Sequence, residues 1–161
     1  MLAEVPDLDL IVVPVGGGGL VSGIATAAKA LKPAIRILGV ESRNYPSMHQ
    51  RLAGLPVECG GDTIAEGIAV KDVGATALSI IRELVDEVLV VEEETIERAV
   101  VALIEIEKTV AEGAGAAGLA ALLQHGAIFA GSFAQSFIAM CVLSVTASAT
   151  RCWSRCCASA R

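Results

Sequence analysis

The chain is poor in aromatic residues and has no surplus of positive charge. Only five of its 161 residues are Phe, Tyr or Trp, so large rings cannot build its core. Hydrophobic residues nevertheless make up 54%, mostly Ala, Val, Leu and Ile, which suits helices packed on a sheet and excludes a disordered chain. Twelve basic residues against eighteen acidic ones give a net charge of −6. Holding a nucleic acid by neutralising its phosphates needs the opposite balance, so no such partner is expected. Basic amphipathic stretches, the mark of a helix lying on a membrane, are also missing. The first ten residues carry Glu4, Asp7 and Asp9 where a secretory signal would be basic. The longest weakly polar run, Phe133 to Ala147, is interrupted by Gln135 and falls short of the ~20 residues of a membrane helix. Five cysteines without regular spacing make no disulfide framework. A soluble cytoplasmic protein, one domain in length and without a membrane partner, is expected. His49 and His125 lack metal-ligand spacing and read as surface residues.

Absence also divides the chain. All sixteen glycines and all eighteen acidic residues lie in positions 1–131, and the last thirty residues have neither. Those thirty hold four of the five cysteines and three of the twelve basic residues. The expected organisation is a folded domain over 1–131 and a divergent tail over 132–161, with one strand at 136–146 and disorder after it. An Ala-, Arg-, Cys- and Ser-rich stretch of this kind is what a change of reading frame leaves. Cys152, Cys156 and Cys157 lack a second ligand pair at zinc spacing and read as an accidental cluster.

Within 1–131, short apolar runs alternate with helical patterns. Leu10 to Val13, Ile35 to Val40 and Val88 to Val91 read as buried strands. Leu20 to Leu31, Asp72 to Leu84, Glu94 to Val110 and Glu112 to His125 read as helices. Strands apolar on both sides and separated by helices imply an α/β fold, a parallel sheet flanked by helices.

Between the first strand and the first helix lies Pro14-Val15-Gly16-Gly17-Gly18-Gly19-Leu20. Four glycines remove every Cβ, so successive backbone N–H groups are free to converge on one anion. The helix that follows adds unpaired donors and the positive end of its dipole. A parallel strand's carboxyl end is also where α/β sheets place ligands. A triphosphate loop is excluded, because Gly23 is followed by Ile24 and Ala25 rather than Lys and Ser or Thr. The dinucleotide fingerprint is also incomplete: Gly18 and Gly23 have its outer spacing, with Leu20 in the middle. Glu41 ends the second strand where a ribose-binding acid would stand, which leaves a non-catalytic nucleotide- or phosphate-binding module as an alternative.

Val12 to Leu20 resembles the cofactor-phosphate loop of fold-type II pyridoxal-phosphate enzymes, the tryptophan synthase β-like group. Leu38-Gly39-Val40-Glu41, Thr63 to Val70, and Ala111-Glu112-Gly113-Ala114-Gly115-Ala116-Ala117-Gly118 resemble the threonine dehydratase (threonine ammonia-lyase) branch in order and spacing. Serine dehydratase and serine racemase share much of this pattern. The resemblance covers residues 1–131 and implies a partial large domain of that fold, with pyridoxal 5'-phosphate as cofactor and threonine or serine as substrate. For the threonine branch it implies a lyase yielding 2-oxobutanoate and ammonia, in isoleucine biosynthesis. By carry-over, Gly16, Gly17, Gly18, Gly19 and Leu20 hold the cofactor phosphate. Gly67 allows close approach, and Glu112 with Gly113 lines the site behind the ring. Glu41 corresponds to a cation site of some relatives, with little support from Tyr45 and Ser47; no other metal is implied. The family's Schiff-base lysine lies upstream of the loop, in a segment this chain does not contain. Lys71 and Lys108 stand near family motifs without matching it. The family's Ser/Cys-Gly-Gly-Asn motif is replaced by Thr146 to Thr150. The expectation is a fragment with no catalytic residue of its own and no turnover alone. A homo-oligomer, or a silent partner of full-length relatives, is the further alternative. The helix Glu112 to His125, rich in Ala and Gly, is expected among the surfaces that truncation exposes.

Overall fold

The structure is a computed structural model and describes residues 2–3 and 5–129, with the backbone of 138–140. Four strands form one sheet: β1 (Leu10–Pro14), β2 (Arg36–Ser42), β3 (Glu87–Val91) and β4 (Ile138–Met140), in the order β3-β2-β1-β4. Every pairing is parallel, with Val12 opposite Leu38 and Met140, and Val40 opposite Leu89. The period of two along a strand sends alternate residues to opposite faces. Leu10, Val12, Leu38, Val40, Leu89 and Val91 enter one core cluster, and Ile11, Val13, Ile37 and Val88 enter the other. Both faces are covered, which is why the strands are apolar throughout. Burying each such side chain contributes about 2 kcal/mol.

On the second face lie α1 (Gly19–Leu31), α2 (Ser47–Leu52) and α3 (Ala75–Leu84), which supply Val21, Ala25, Ala28, Met48 and Ile81 to the core. On the first face lie α4 (Glu93–Glu107) and α5 (Gly113–Gln124), followed by the short α6 (Gly126–Phe129). The expected elements are present, with shifted ends. Helix α4 stops at Glu107 rather than Val110, because Lys108 takes a left-handed conformation with φ 55° and Thr109 N–H reaches back to Leu103 O at 3.1 Å. Helix α3 starts at Ala75, three residues after the expected Asp72.

One expectation is overturned. The Ala- and Gly-rich helix α5 is not an exposed packing face: Ala114, Ala116, Ala117, Leu119, Ala120 and Ala121 are all buried in the first core. Its side chains are small because the helix lies close against β1, β2 and β3 as well as α4. Strand β4 falls inside the stretch 136–146 expected as a strand. The rest of 132–161, including Cys152 to Cys157, lies outside the described residues.

Candidate functional site

The glycine loop begins where β1 leaves the sheet. Val15 N–H donates to Val40 O at 2.8 Å, and the chain then turns against residues 67–70. A Cβ on Gly16 would stand 3.0 Å from Val70 Cγ2 and 3.3 Å from Ile68 Cα, so a side chain has little room there. Gly18 has φ 89°, a left-handed conformation that L residues rarely adopt, and it caps the N-terminus of α1. A Cβ on Gly19 would meet nothing within 4 Å.

The first bond of α1 runs from Ser22 N–H to Gly18 O at 3.1 Å, so the amides of Gly19, Leu20 and Val21 have no intrahelical acceptor. Among the described residues, the amides of Gly16, Gly17 and Gly18 find no acceptor either. No side chain caps α1, and its first turn carries no acid to offset the dipole. Among the described residues nothing satisfies these donors, which leaves them open to an anion or to water.

Residues 16–20 of this segment border a pocket of about 220 Å³ with three walls. Pro14, Gly16 to Gly19 and Leu20 form the first wall, and Gly67 and Ile68 of a 3-10 turn (Glu66–Ile68) form the second. Glu112, Ala114 and Gly115, at the start of α5, form the third. Helix α5 repeats the arrangement of α1: its opening turn is closed by Ala116 N–H donating to Glu112 O at 3.0 Å, without a side-chain cap. Two helix N-termini therefore open on one cavity. Gly67 lets the walls approach, because a Cβ there would lie 3.1 Å from Ala114 Cβ and 3.6 Å from Glu112 Oε1.

The structure thus brings together Gly16, Gly17, Gly18, Gly19, Leu20, Gly67 and Glu112, which stand in three distant motifs of the sequence. Gly113 is not on the wall. A Cβ there would come within 2.2 Å of Ile64 O, so this glycine serves the contact between α5 and the 64–65 backbone. Pro14, Ile68, Ala114 and Gly115 are wall residues that sequence reasoning did not assign. Pro14 and Ile68 lie inside the first and second motifs, and the alternation of Gly and Ala in the third was the only signal for Ala114 and Gly115.

Glu41 stands behind the loop rather than in the pocket. It is 1% exposed, and its Oε1 and Oε2 accept the N–H groups of Met48 and His49, both at 2.8 Å. Burial pushes its pKa up from 4.5 to about 7, and the two amide bonds offset part of that rise. No cluster of three or more His, Cys, Asp or Glu suited to a metal occurs among the described residues. The two histidines contact β3: His49 Nδ1 lies 3.0 Å from Val88 O, and His125 Nε2 lies 3.1 Å from Val90 O. Lys71 and Lys108 are exposed and line no part of the pocket. Among the described residues, no helix is long and apolar enough to cross a membrane.

Comparison with known proteins agrees with this geometry. Residues 1–141 match the family described as "Pyridoxal-phosphate dependent enzyme". An L-threonine ammonia-lyase of Geobacter sulfurreducens is 51% identical over 130 residues, 78% of this chain and 32% of its own length. Among solved structures, a threonine deaminase from T.th. superposes with a TM-score of 0.70 at 40% identity, covering 74% of this chain and 45% of that one. Maize serine racemase gives a TM-score of 0.75, also at 40% identity, over 85% of this chain and 43% of that one. The chain spans about a third of the length of the curated relatives it matches. A glycine-lined pocket at the end of β1, in a sheet shared with these proteins, thus has a family to which it answers: the chain belongs to the pyridoxal-phosphate dependent enzymes and is similar to the threonine ammonia-lyases among them.

Proposed function

We propose that this chain carries the phosphate-holding part of a cytoplasmic L-threonine ammonia-lyase, with pyridoxal 5'-phosphate as cofactor and 2-oxobutanoate and ammonia as products. The unpartnered amides of residues 16–21 are the observation that carries this reading. They fit a phosphate dianion, and a Cβ at Gly16 or Gly18 would crowd the loop that presents them. In this reading the amides of Gly16 to Gly19 and Leu20 bind the anionic end of the cofactor, with the dipole of α1 behind them. Gly67 keeps the facing wall bare, and Glu112 borders the remaining space. Bound pyridoxal phosphate supplies an electron sink for the α-carbon of the amino acid. At about 220 Å³ the pocket is smaller than the ~300–1,000 Å³ usual for a whole ligand, which suits holding one end of a cofactor.

Among the described residues, no lysine lines the pocket. Turnover therefore requires a lysine from outside these walls, and purified chain mixed with pyridoxal phosphate and L-threonine should release no 2-oxobutanoate. Measurable 2-oxobutanoate would contradict that division of labour. The same missing lysine favours a second reading, a binding module without catalysis. A thermal-shift panel separates the two: nucleotides stabilising the chain more than pyridoxal phosphate would favour the module.

A further inference from the structure

The back of the glycine loop rests on a helix too short to hold itself. Helix α2 has six residues, well under the ~12 that an isolated helix needs for even marginal stability. Its first two residues, Ser47 and Met48, are fully buried. Met48 Cε lies 2.7 Å from where a Cβ of Gly18 would stand, so this side chain occupies the space that the left-handed glycine leaves open. Ser47 Oγ donates to Val70 O, and Val70 in turn packs on the loop, 3.0 Å from the Cβ position of Gly16 and 3.9 Å from that of Gly17. Two routes therefore lead from the first turn of α2 to three of the four loop glycines.

That first turn is fixed by one side chain. No side chain of α2 itself caps the helix, and the residue at its N-cap is Pro46. The carboxylate of Glu41, seven and eight residues upstream on β2, takes the amides of Met48 and His49 instead. A strand residue thus does the work of a helix cap, and ties α2 to the sheet from which the loop also emerges.

We propose that Glu41 is a positioning residue for the phosphate loop: by holding the first turn of α2 it sets Met48 and Ser47, and through them the conformation of Gly16 to Gly18. This rests on the reading of the loop as a phosphate cradle. Glu41 touches no ligand, so its effect is confined to whatever the loop amides bind.

The test uses the full chain and three probes: pyridoxal 5'-phosphate, inorganic phosphate, and pyridoxal without the phosphate, each titrated by calorimetry. Glu41→Gln turns one amide-accepting oxygen into a donor that faces another N–H. It should weaken pyridoxal phosphate and inorganic phosphate about tenfold, the size of one lost hydrogen bond, and leave pyridoxal within about twofold. Met48→Val, which keeps the carboxylate bonds and shortens the side chain behind Gly18, should lower phosphate affinity in the same direction, and Met48→Leu should restore it. This second pair decides the matter if Glu41→Gln does not fold. Unchanged phosphate affinity in a folded Glu41→Gln chain, or in Met48→Val, would overturn the proposal. Equal weakening of all three probes would also overturn it, because that is general loosening rather than positioning. A wild-type chain that binds neither phosphate probe would instead overturn the cradle reading, and this inference with it.

Discussion

Adjacent glycines of the loop do different jobs, and substitution should separate them. At Gly18 a methyl group would sit 2.7 Å from Met48 Cε, 2.8 Å from Ala77 Cβ and 3.0 Å from Ile81 Cδ1, on a backbone at φ 89°. Gly18→Ala should cost about 2–3 kcal/mol in urea unfolding, from overpacking together with a left-handed alanine. Gly19→Ala meets no protein atom within 4 Å and should leave stability within about 0.5 kcal/mol, while its methyl group enters the space beside the free amides. Loss of phosphate affinity without loss of stability is thus the expected signature of Gly19→Ala. Glu41 gives a pH prediction whose sign follows from its environment. Its pKa is raised to about 7 in the folded chain, from 4.5 when unfolded. Between those values the folded chain keeps a proton that the unfolded chain has released, so raising the pH favours unfolding. The contribution is a loss of about 3 kcal/mol as pH rises through 4.5 to 7, levelling off about one unit above the folded pKa. Glu41→Gln should flatten that part of the stability profile. An unchanged slope in urea midpoints between about pH 5 and pH 8 would show that another group carries it.

The elements differ in how far they can be read from sequence. Strands β1, β2 and β3 and helices α1, α4 and α5 announce themselves because their pattern is local: apolar runs of a few residues, or apolar positions at helical spacing. The glycine loop is legible for a similar reason, since four consecutive glycines are themselves the conformational signal. Helix α2 is not. It begins at Ser47 on the strength of a carboxylate at Glu41 and a burial site for Met48, and neither partner is visible within its own six residues. The burial of α5 is also a tertiary fact. Its Ala–Gly composition fits a helix pressed against a sheet as well as one exposed by truncation, and the strands it covers decide between them. The start of α5 carries a sharp constraint at Gly113, where an added Cβ would lie 2.2 Å from Ile64 O and 2.5 Å from Ile64 C. Backbone atoms cannot swing aside as a flexible side chain does. Gly113→Ala should cost about 3 kcal/mol or more and move Glu112, Ala114 and Gly115 off the third wall. Wild-type stability in that variant would mean that α5 starts elsewhere.

At the scale of the described molecule, a parallel sheet carries a glycine-lined pocket at the carboxyl end of β1. Helices α1 and α5 lie on opposite faces of the sheet; α1 leaves the carboxyl end of β1 directly, while α5 follows α4, crosses β1, β2 and β3, and brings its N-terminus to the same cavity. Motifs at residues 12–20, 63–70 and 111–118 are separate in sequence and share the walls of that cavity. The resemblance carried by those motifs named the family correctly. What it assigned residue by residue was less uniform: Glu112 stands on the wall, Gly113 behind it, and Glu41 on the loop's far side. The wall residues Ala114 and Gly115 emerge only once the start of α5 is known. The chain covers 32% of the length of the Geobacter sulfurreducens L-threonine ammonia-lyase.

The most direct test of the phosphate cradle is a titration of the purified chain with pyridoxal 5'-phosphate, with and without inorganic phosphate as competitor. Saturable binding that phosphate displaces, and that Gly19→Ala weakens without lowering stability, is the expected result. Binding indifferent to phosphate, or no binding by a folded chain, would contradict the assignment of the amides at residues 16–21 to the cofactor's anionic end.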